Sequence, residues 1–390
     1  MNKIDRCLNF DLPKPYSSFL WGARKTGKST YLKEKFPKAF FVDLLKTDIF
    51  QRYVNHPYLL RQELMAMPES TFDHPVILDE VQKIPGLLDE VHWMLENKKE
   101  IQFILCGSSV RKLKQSGSNL LGGRAWRTQF LPLCFPELKT LDWQKIMNQG
   151  LLPSHYLSNH SRKLLSAYVY DYLLPEVHTE ANLRSSQGFT RFLDVLGFSQ
   201  GELLNYSNIS RDCAVDAKTV RTYFEILVDM YLGYFLYPFT KKAGRELIRE
   251  TPKFYLMDTG LSHFLKKYKF TEFKGIDAGR ALEHYLFLEL MAYKLLNDLE
   301  YSLHFWRTRD GVHEVDFVLE EGKIAIECKI SSPIERRDCK GLLLFGEHYK
   351  AKLHIVSLEP RKRLMNIDGQ EVTIWPIEEF LNNLWAGSII

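Results

Sequence analysis

With 390 residues the chain is too long for one ordinary domain, so two or three are expected. A hydrophobic share of 45% and a charged share of 26% exclude extensive disorder, and no stretch approaches the roughly 18 apolar residues of a membrane-spanning helix. The net charge of +4 permits a nucleic-acid partner without requiring one, so local patches must decide.

Met1-Asn2-Lys3-Ile4-Asp5-Arg6 lacks the apolar core of a signal peptide. Cys7, Cys106, Cys134, Cys213, Cys328 and Cys339 are scattered, with no C-x-x-C pair. Buried free thiols in a reducing cytoplasm are therefore expected, and a zinc cluster is not.

The first predicted strand, 18–21, runs into Gly22-Ala23-Arg24-Lys25-Thr26-Gly27-Lys28-Ser29-Thr30, and a helix is predicted over 28–35. G-x-x-x-x-G-K-S between a strand and a helix is the context of a phosphate-binding loop. The glycines let several backbone N–H groups point at one anion, and the helix N-terminus adds its positive end. Lys28 would reach the β- and γ-phosphates of ATP, and the Ser29 hydroxyl would ligate Mg²⁺.

A second strand is predicted over 39–43 and a third over 76–78, the latter ending in Asp79-Glu80. Acids at the C-terminal edge of a buried parallel strand lie where open α/β sheets bind ligands. Asp79 would hold Mg²⁺ through water, and Glu80 would polarise an attacking water, which points to hydrolysis. A helix over 85–97 and strands over 101–106 and 127–131 complete a βαβα rhythm and predict a parallel sheet, residues 1–140.

Residues 141–190 read as a helical connector with Leu164, Tyr168, Tyr172 and Leu173 as its buried stripe and little recognisable chemistry. Residues 191–270 suggest a winged helix-turn-helix. One helix is expected to end over 202–206, and another opens after an Asp216 N-cap, burying Val220, Phe224 and Leu227. Strands over 234–237 and 253–256 flank a basic segment, like a wing. DNA contact through Lys218, Arg221, Lys241, Lys242 and Arg245 is the expectation.

The third region, 271–390, carries Glu283 on a predicted helix, then Val315-Asp316-Phe317-Val318-Leu319 and Ile324-Ala325-Ile326-Glu327-Cys328-Lys329 around a Glu320–Lys323 turn. With Glu321 and Gly322 central in the turn, Leu319 faces Ile324, Phe317 faces Ile326 and Asp316 faces Glu327. Opposed carboxylates repel unless a divalent cation joins them, so Asp316 and Glu327 are candidate metal ligands. Lys329 would orient water or stabilise a charged transition state, and Glu283 would add an acid.

These motifs together resemble the prokaryotic AAA-like ATPases that carry a C-terminal domain of unknown function related to restriction endonucleases. The likeness runs through Gly22–Thr30, Leu78-Asp79-Glu80-Val81-Gln82, Leu105-Cys106-Gly107-Ser108-Ser109, Leu121-Gly122-Gly123-Arg124, Tyr255-Leu256-Met257-Asp258-Thr259-Gly260-Leu261, Glu314-Val315-Asp316-Phe317 and Ile326-Glu327-Cys328-Lys329. It implies that Ser108 tips a sensor strand facing the γ-phosphate. It makes Arg124 an arginine finger or a structural arginine, the former hinting at a homo-oligomer. It aligns Asp316 and Glu327-Cys328-Lys329 with a D…E-x-K nuclease core that uses Mg²⁺ or Mn²⁺. Cys328 stands at a usually apolar position, and Val312-His313 alter the spacing after Gly311.

The expected architecture is thus a P-loop NTPase sheet, a helical and winged-helix region, and a restriction-endonuclease-like α/β domain. The expected function is an ATPase with a metal-dependent DNA nuclease domain and no membrane partner. The alternative is an ATP-switched DNA-binding or regulatory protein with a silent nuclease-like domain. A small-molecule kinase fits less well, because Glu80 follows Asp79 and the C-terminal region is large.

Overall fold

The computed structural model describes residues 4–115, 121–181, 186–240 and 251–390. Strands β1 (Ser17–Trp21), β2 (Phe40–Asp43), β3 (Val76–Asp79), β4 (Phe103–Gly107) and β5 (Ala125–Gln129) form one sheet in the order β2-β3-β4-β1-β5. All neighbours are parallel. β1, β3 and β4 are buried along their whole length, as expected for continuous apolar runs in a sheet covered on both faces. Their C-terminal ends align, with Trp21 beside Gly107 and Asp79 beside Cys106. The loop after β1 therefore opens on the same edge as the acids after β3. The last strand of this sheet starts and ends two residues earlier than predicted, with the Phe130 N–H extending the ladder to Trp21 O at 2.6 Å.

A helical layer follows. Leu165, Tyr168, Val169, Leu173 and Val177 pack with Phe189, Phe192, Val220, Phe224 and Leu265 in one core. The stretch read as a connector is thus continuous with the region that follows it. A π-helical turn over Tyr168–Leu173 rotates the stripe, so Leu165 and Val169 are buried while Leu164 and Tyr172 are half-buried. The helix expected to end near Tyr206 instead begins there: Asn205 caps Tyr206–Cys213 by accepting from Asn208 N at 3.0 Å. A short turn leads to helix Ala217–Asp229. Its cap is Asp216, accepting from Thr219 N at 2.8 Å, and Val220, Phe224 and Leu227 face inward.

The second sheet comprises β6 (Gly233–Pro238), β7 (Lys253–Leu256), β8 (Leu303–Arg307), β9 (Glu314–Leu319), β10 (Ile324–Lys329), β11 (Lys352–Ser357), β12 (Arg363–Ile367) and β13 (Gln370–Pro376). Its order is β12-β13-β11-β10-β9-β8-β6-β7. The two strands read as flanking a wing thus extend the C-terminal sheet, β6 pairing in parallel with β8 at Tyr237–His304 and Pro238–Phe305. Helix Gly275–Leu296 packs on one face through Leu282, Leu286 and Leu290, against Phe317 and Ile326. Helix Lys340–Tyr349 covers the other through Leu342 and Phe345, against Val318 and Ala325.

All six cysteines are free, and five are buried. Cys7 departs from that expectation: it is exposed, with its Sγ 3.2 Å from that of Cys134. Glu137 beside them accepts from Arg6, Cys7 N and Cys134 N. Among the described residues no helix is long and apolar enough to cross a membrane.

Candidate functional site

The loop after β1 is shaped by close approach and by left-handed backbone. A Cβ on Gly22 would sit 2.2 Å from Phe130 O. Gly27, at φ 99°, caps the helix Lys28–Lys35 in a conformation that suits glycine. Thr26 Oγ1 donates to Ala23 O at 2.9 Å, and from outside Arg6 Nη1 donates to Thr26 O at 2.7 Å. Lys28 is folded over the loop, its ammonium donating to Gly22 O at 2.6 Å and Ala23 O at 2.9 Å. Burial, the largest influence, lowers its pKa, with Cys106, Glu80 and Asp79 opposing.

Asp79 ends β3 within this loop's reach. Burial raises its pKa, while hydrogen bonds with Ser29 and Cys106 pull it down. Its Oδ1 is buried and has no hydrogen-bond partner. An orphaned carboxylate oxygen next to the Ser29 hydroxyl fits a hydrated Mg²⁺, the two groups supplying the oxygen ligands that ion takes. Glu80 follows in left-handed conformation, φ 62°. Its Oε2 accepts from Gln82 Nε2 at 2.7 Å and from Ser108 Oγ at 3.4 Å, and Gln82 Nε2 also reaches Ser108 Oγ at 3.1 Å. The chain thus brings Lys28, Ser29, Asp79, Glu80 and Ser108 together. Ala23, Lys25 and Thr30 complete the loop, Lys25 and Thr30 exposed and Ala23 buried.

Arg24 carries a network that sequence reasoning missed. Its guanidinium lies 3.9 Å from Glu80 and 3.7 Å from Glu176, and it stacks over Tyr172 at 4.7 Å. Tyr168 Oη donates to Arg24 O at 3.4 Å. The helical layer therefore touches the phosphate loop directly, where it had been read as carrying little chemistry. The Tyr168, Tyr172, Glu176 spacing of four on a helix was the available signal.

Arg124 is not brought to this loop. It precedes β5, whose first residue pairs with Ser17 at the opposite end of β1, and it forms an ion pair with Glu96.

The second cluster forms where β9 and β10 part. The ladder pairs Leu319 with Ile324 and Phe317 with Ile326, as the turn register predicted, and stops there. One residue further Asp316 Oδ2 accepts from Cys328 N at 2.7 Å. Burial, then Glu327 and Glu283, hold the Asp316 carboxyl well above the usual range, with Lys253 and Lys329 opposing. Glu327 is also raised by burial, with Lys329 opposing; Lys329 Nζ donates to Glu327 Oε1 at 2.6 Å. Glu327 Oε2 is buried with no partner. Glu283, Asp316 and Glu327 thus act on one another's charge, with Lys329 on Glu327, but the oxygens of the three acids do not all lie within 4.8 Å of one another.

Three further groups join them. Lys253 Nζ lies 3.0 Å from Glu283 Oε1 and 2.5 Å from Glu314 Oε1, and Tyr255 Oη donates to Glu283 Oε1 at 2.5 Å. Burial favours a neutral Lys253, but Glu283, Tyr255, Asp316 and Glu314 override it and hold the ammonium well above its ordinary pKa. A lysine and a tyrosine two apart on a strand share a face, which was the signal for this pair. The unpartnered Glu327 oxygen beside Asp316 fits a hard divalent cation, for which carboxylate oxygens are the right donors.

Of the proposed DNA contacts, Lys218 and Arg221 are exposed on helix Ala217–Asp229, with Arg221 over the Tyr206 ring at 5.3 Å. Lys241, Lys242 and Arg245 lie outside the described residues.

Comparison with known proteins gives three matched regions along the chain. Residues 15–139 match the AAA domain family, residues 140–272 the domain of unknown function DUF8612, and residues 278–380 the domain of unknown function DUF4143. The N-terminal region thus matches an AAA domain and carries a phosphate-binding loop on a parallel sheet. Uncharacterized proteins of Mycobacterium bovis and Mycobacterium tuberculosis are each 24% identical over 258 residues, which is 63% of this chain and 56% of the relative. The chain thus spans little more than half the length of those relatives. The solved structure of a Walker-type ATPase of Pyrococcus abyssi is similar with a TM-score of 0.41 at 16% identity, covering 65% of this chain and 91% of that one.

Proposed function

We propose that this chain couples ATP hydrolysis in its N-terminal region to metal-dependent cleavage of DNA by a restriction-endonuclease-like C-terminal region. Lys28 turns from the loop carbonyls to the β- and γ-phosphates of ATP, and the Gly22–Thr30 backbone cradles them. Ser29 and Asp79 would hold Mg²⁺, which supplies charge neutralisation on the phosphates. Glu80 takes the proton of the attacking water, and Ser108, sharing Glu80 with Gln82, reports the γ-phosphate. Arg124 reaches a nucleotide only across copies of the chain, so a homo-oligomer belongs to this reading, as does a cytoplasmic setting.

In the C-terminal region Asp316 and Glu327 would hold Mg²⁺ or Mn²⁺, which polarises the scissile phosphate. Lys329 orients the water or offsets the charge that develops, and Glu283 shapes the site with a further carboxylate. Lys218 and Arg221, with Lys241, Lys242 and Arg245, would hold the DNA backbone. The single observation that carries this reading is the buried Glu327 Oε2, unpartnered beside Asp316. One feature favours the alternative, an ATP-switched DNA-binding protein with a silent nuclease-like domain: the Lys253 ammonium already pairs with Glu283.

Cleavage of linear, single-stranded and branched DNA in Mg²⁺ or Mn²⁺, with and without ATP, tests the two. Cleavage by wild type and none by Glu327→Ala, purified in parallel, is the expected result. Intact ATP hydrolysis with no cleavage under any condition selects the switch protein.

A further inference from the structure

We infer that Lys253 is the resident counter-ion of the carboxylate site, and that a divalent cation entering the site displaces the Lys253 ammonium from Glu283. The inference rests on the metal-binding reading above and concerns how that site is regulated.

The two lysines of the site stand differently. Lys329 attends Glu327 Oε1 with its side chain 32% exposed, while the Lys253 side chain is 6% exposed and bridges two acids from different elements, Glu283 on the helix and Glu314 on β9. Lys253 and Tyr255 both occupy the same Glu283 oxygen, whereas Glu327 Oε2 has no partner. The cluster thus contains one carboxylate held by a fixed internal cation and one oxygen left open. An ammonium is a compact point charge that competes with a metal ion for the same oxygen and repels it through a poorly screened interior.

Displacement is feasible on this geometry. Phe305 presents its ring 5.4 Å from Lys253 Nζ, a second seat for the ammonium. Glu314 keeps Arg307, 3.7 Å away, and Glu283 keeps the Tyr255 hydroxyl. Removing the Lys253 charge therefore leaves both acids with a partner and leaves the site more negative.

The expectation runs opposite to that for a merely structural lysine, whose loss would weaken the site. Mn²⁺ binding to the nucleotide-free full chain is measured by calorimetry or paramagnetic resonance, and the binding abolished by Glu327→Gln defines this site. Lys253→Met is expected to bind Mn²⁺ about tenfold tighter or more, and Lys253→Arg, which keeps the charge, no tighter than wild type. Equal or weaker binding by a Lys253→Met protein that still unfolds cooperatively overturns the counter-ion role alone. If neither wild type nor variant shows Glu327-dependent binding, the metal reading itself falls, and the displacement with it. Should Lys253→Met not fold, Lys253→Gln carries the same expectation, since its amide can still donate to Glu283.

Discussion

Lys28 and Lys253 are buried alike, 6% and 5% exposed, yet the two ends of the molecule hold them by opposite means. In the N-terminal site the ammonium rests on two neutral carbonyls of its own loop, and burial lowers its pKa. In the C-terminal site it rests on two carboxylates, and they raise its pKa against the same burial penalty. Depth alone does not decide what a buried lysine is for; its partners do. A lysine spending its donors on carbonyls is available to an anion. A lysine locked to carboxylates answers a negative site, and only a competing cation relieves it of that role.

The sharpest way to break this comparison is Lys28→Ala. It removes the buried ammonium that faces the phosphate loop, and ATP turnover is expected to fall about a thousandfold, at the scale of a lost phosphate clamp. Mn²⁺ binding at the C-terminal acids should be unaffected; a parallel loss there would show that the two sites are not separable. Next in size is Glu80→Gln. Nucleotide binding should persist, while hydrolysis falls about a hundredfold or more, measured by equilibrium binding beside steady-state phosphate release. Normal turnover would remove Glu80 from the role of base.

A third case is a buried acid with no lysine beside it. Glu289 accepts from Phe135 N at 3.0 Å and Trp385 Nε1 at 2.9 Å, and burial lifts its pKa to about 7. Folding thus favours its protonated form. Its contribution is complete below the ordinary pKa near 4.5 and is lost as pH rises through about 7. Denaturant unfolding should show wild type losing about 3 kcal/mol from this group between pH 4.5 and pH 8, with a shallower slope in Glu289→Gln. An unchanged slope would mean that the carboxyl is already paired by a charge.

What the sequence disclosed depended on how locally each feature is built. The Gly22–Thr30 loop is contiguous, and its strand and helix flank it directly, so motif and geometry coincide. Asp316 and Glu327 were legible because a short turn transmits register across a hairpin, although the splay that lets Asp316 take Cys328 N was not. Lys253 and Tyr255 show only as a shared strand face; their acidic partners come from elsewhere, Glu283 on a helix and Glu314 on a strand of the sheet that β6 joins by pairing residues 67 apart. Arg124 reads as part of a nucleotide site in one dimension, while strand direction puts it at the other end of the sheet. The Tyr168, Tyr172 and Glu176 stripe shows in the spacing, but its partner Arg24 lies far away in sequence, so the spacing alone does not say what the stripe meets.

The β6–β7 hairpin has an evolutionary consequence. The seam between the second and third matched regions lies between residues 272 and 278, but the acids of the C-terminal cluster lie beyond it while Lys253 and Tyr255 lie before it. Recombination at that seam would deliver carboxylates stripped of the ammonium and hydroxyl that hold Glu283.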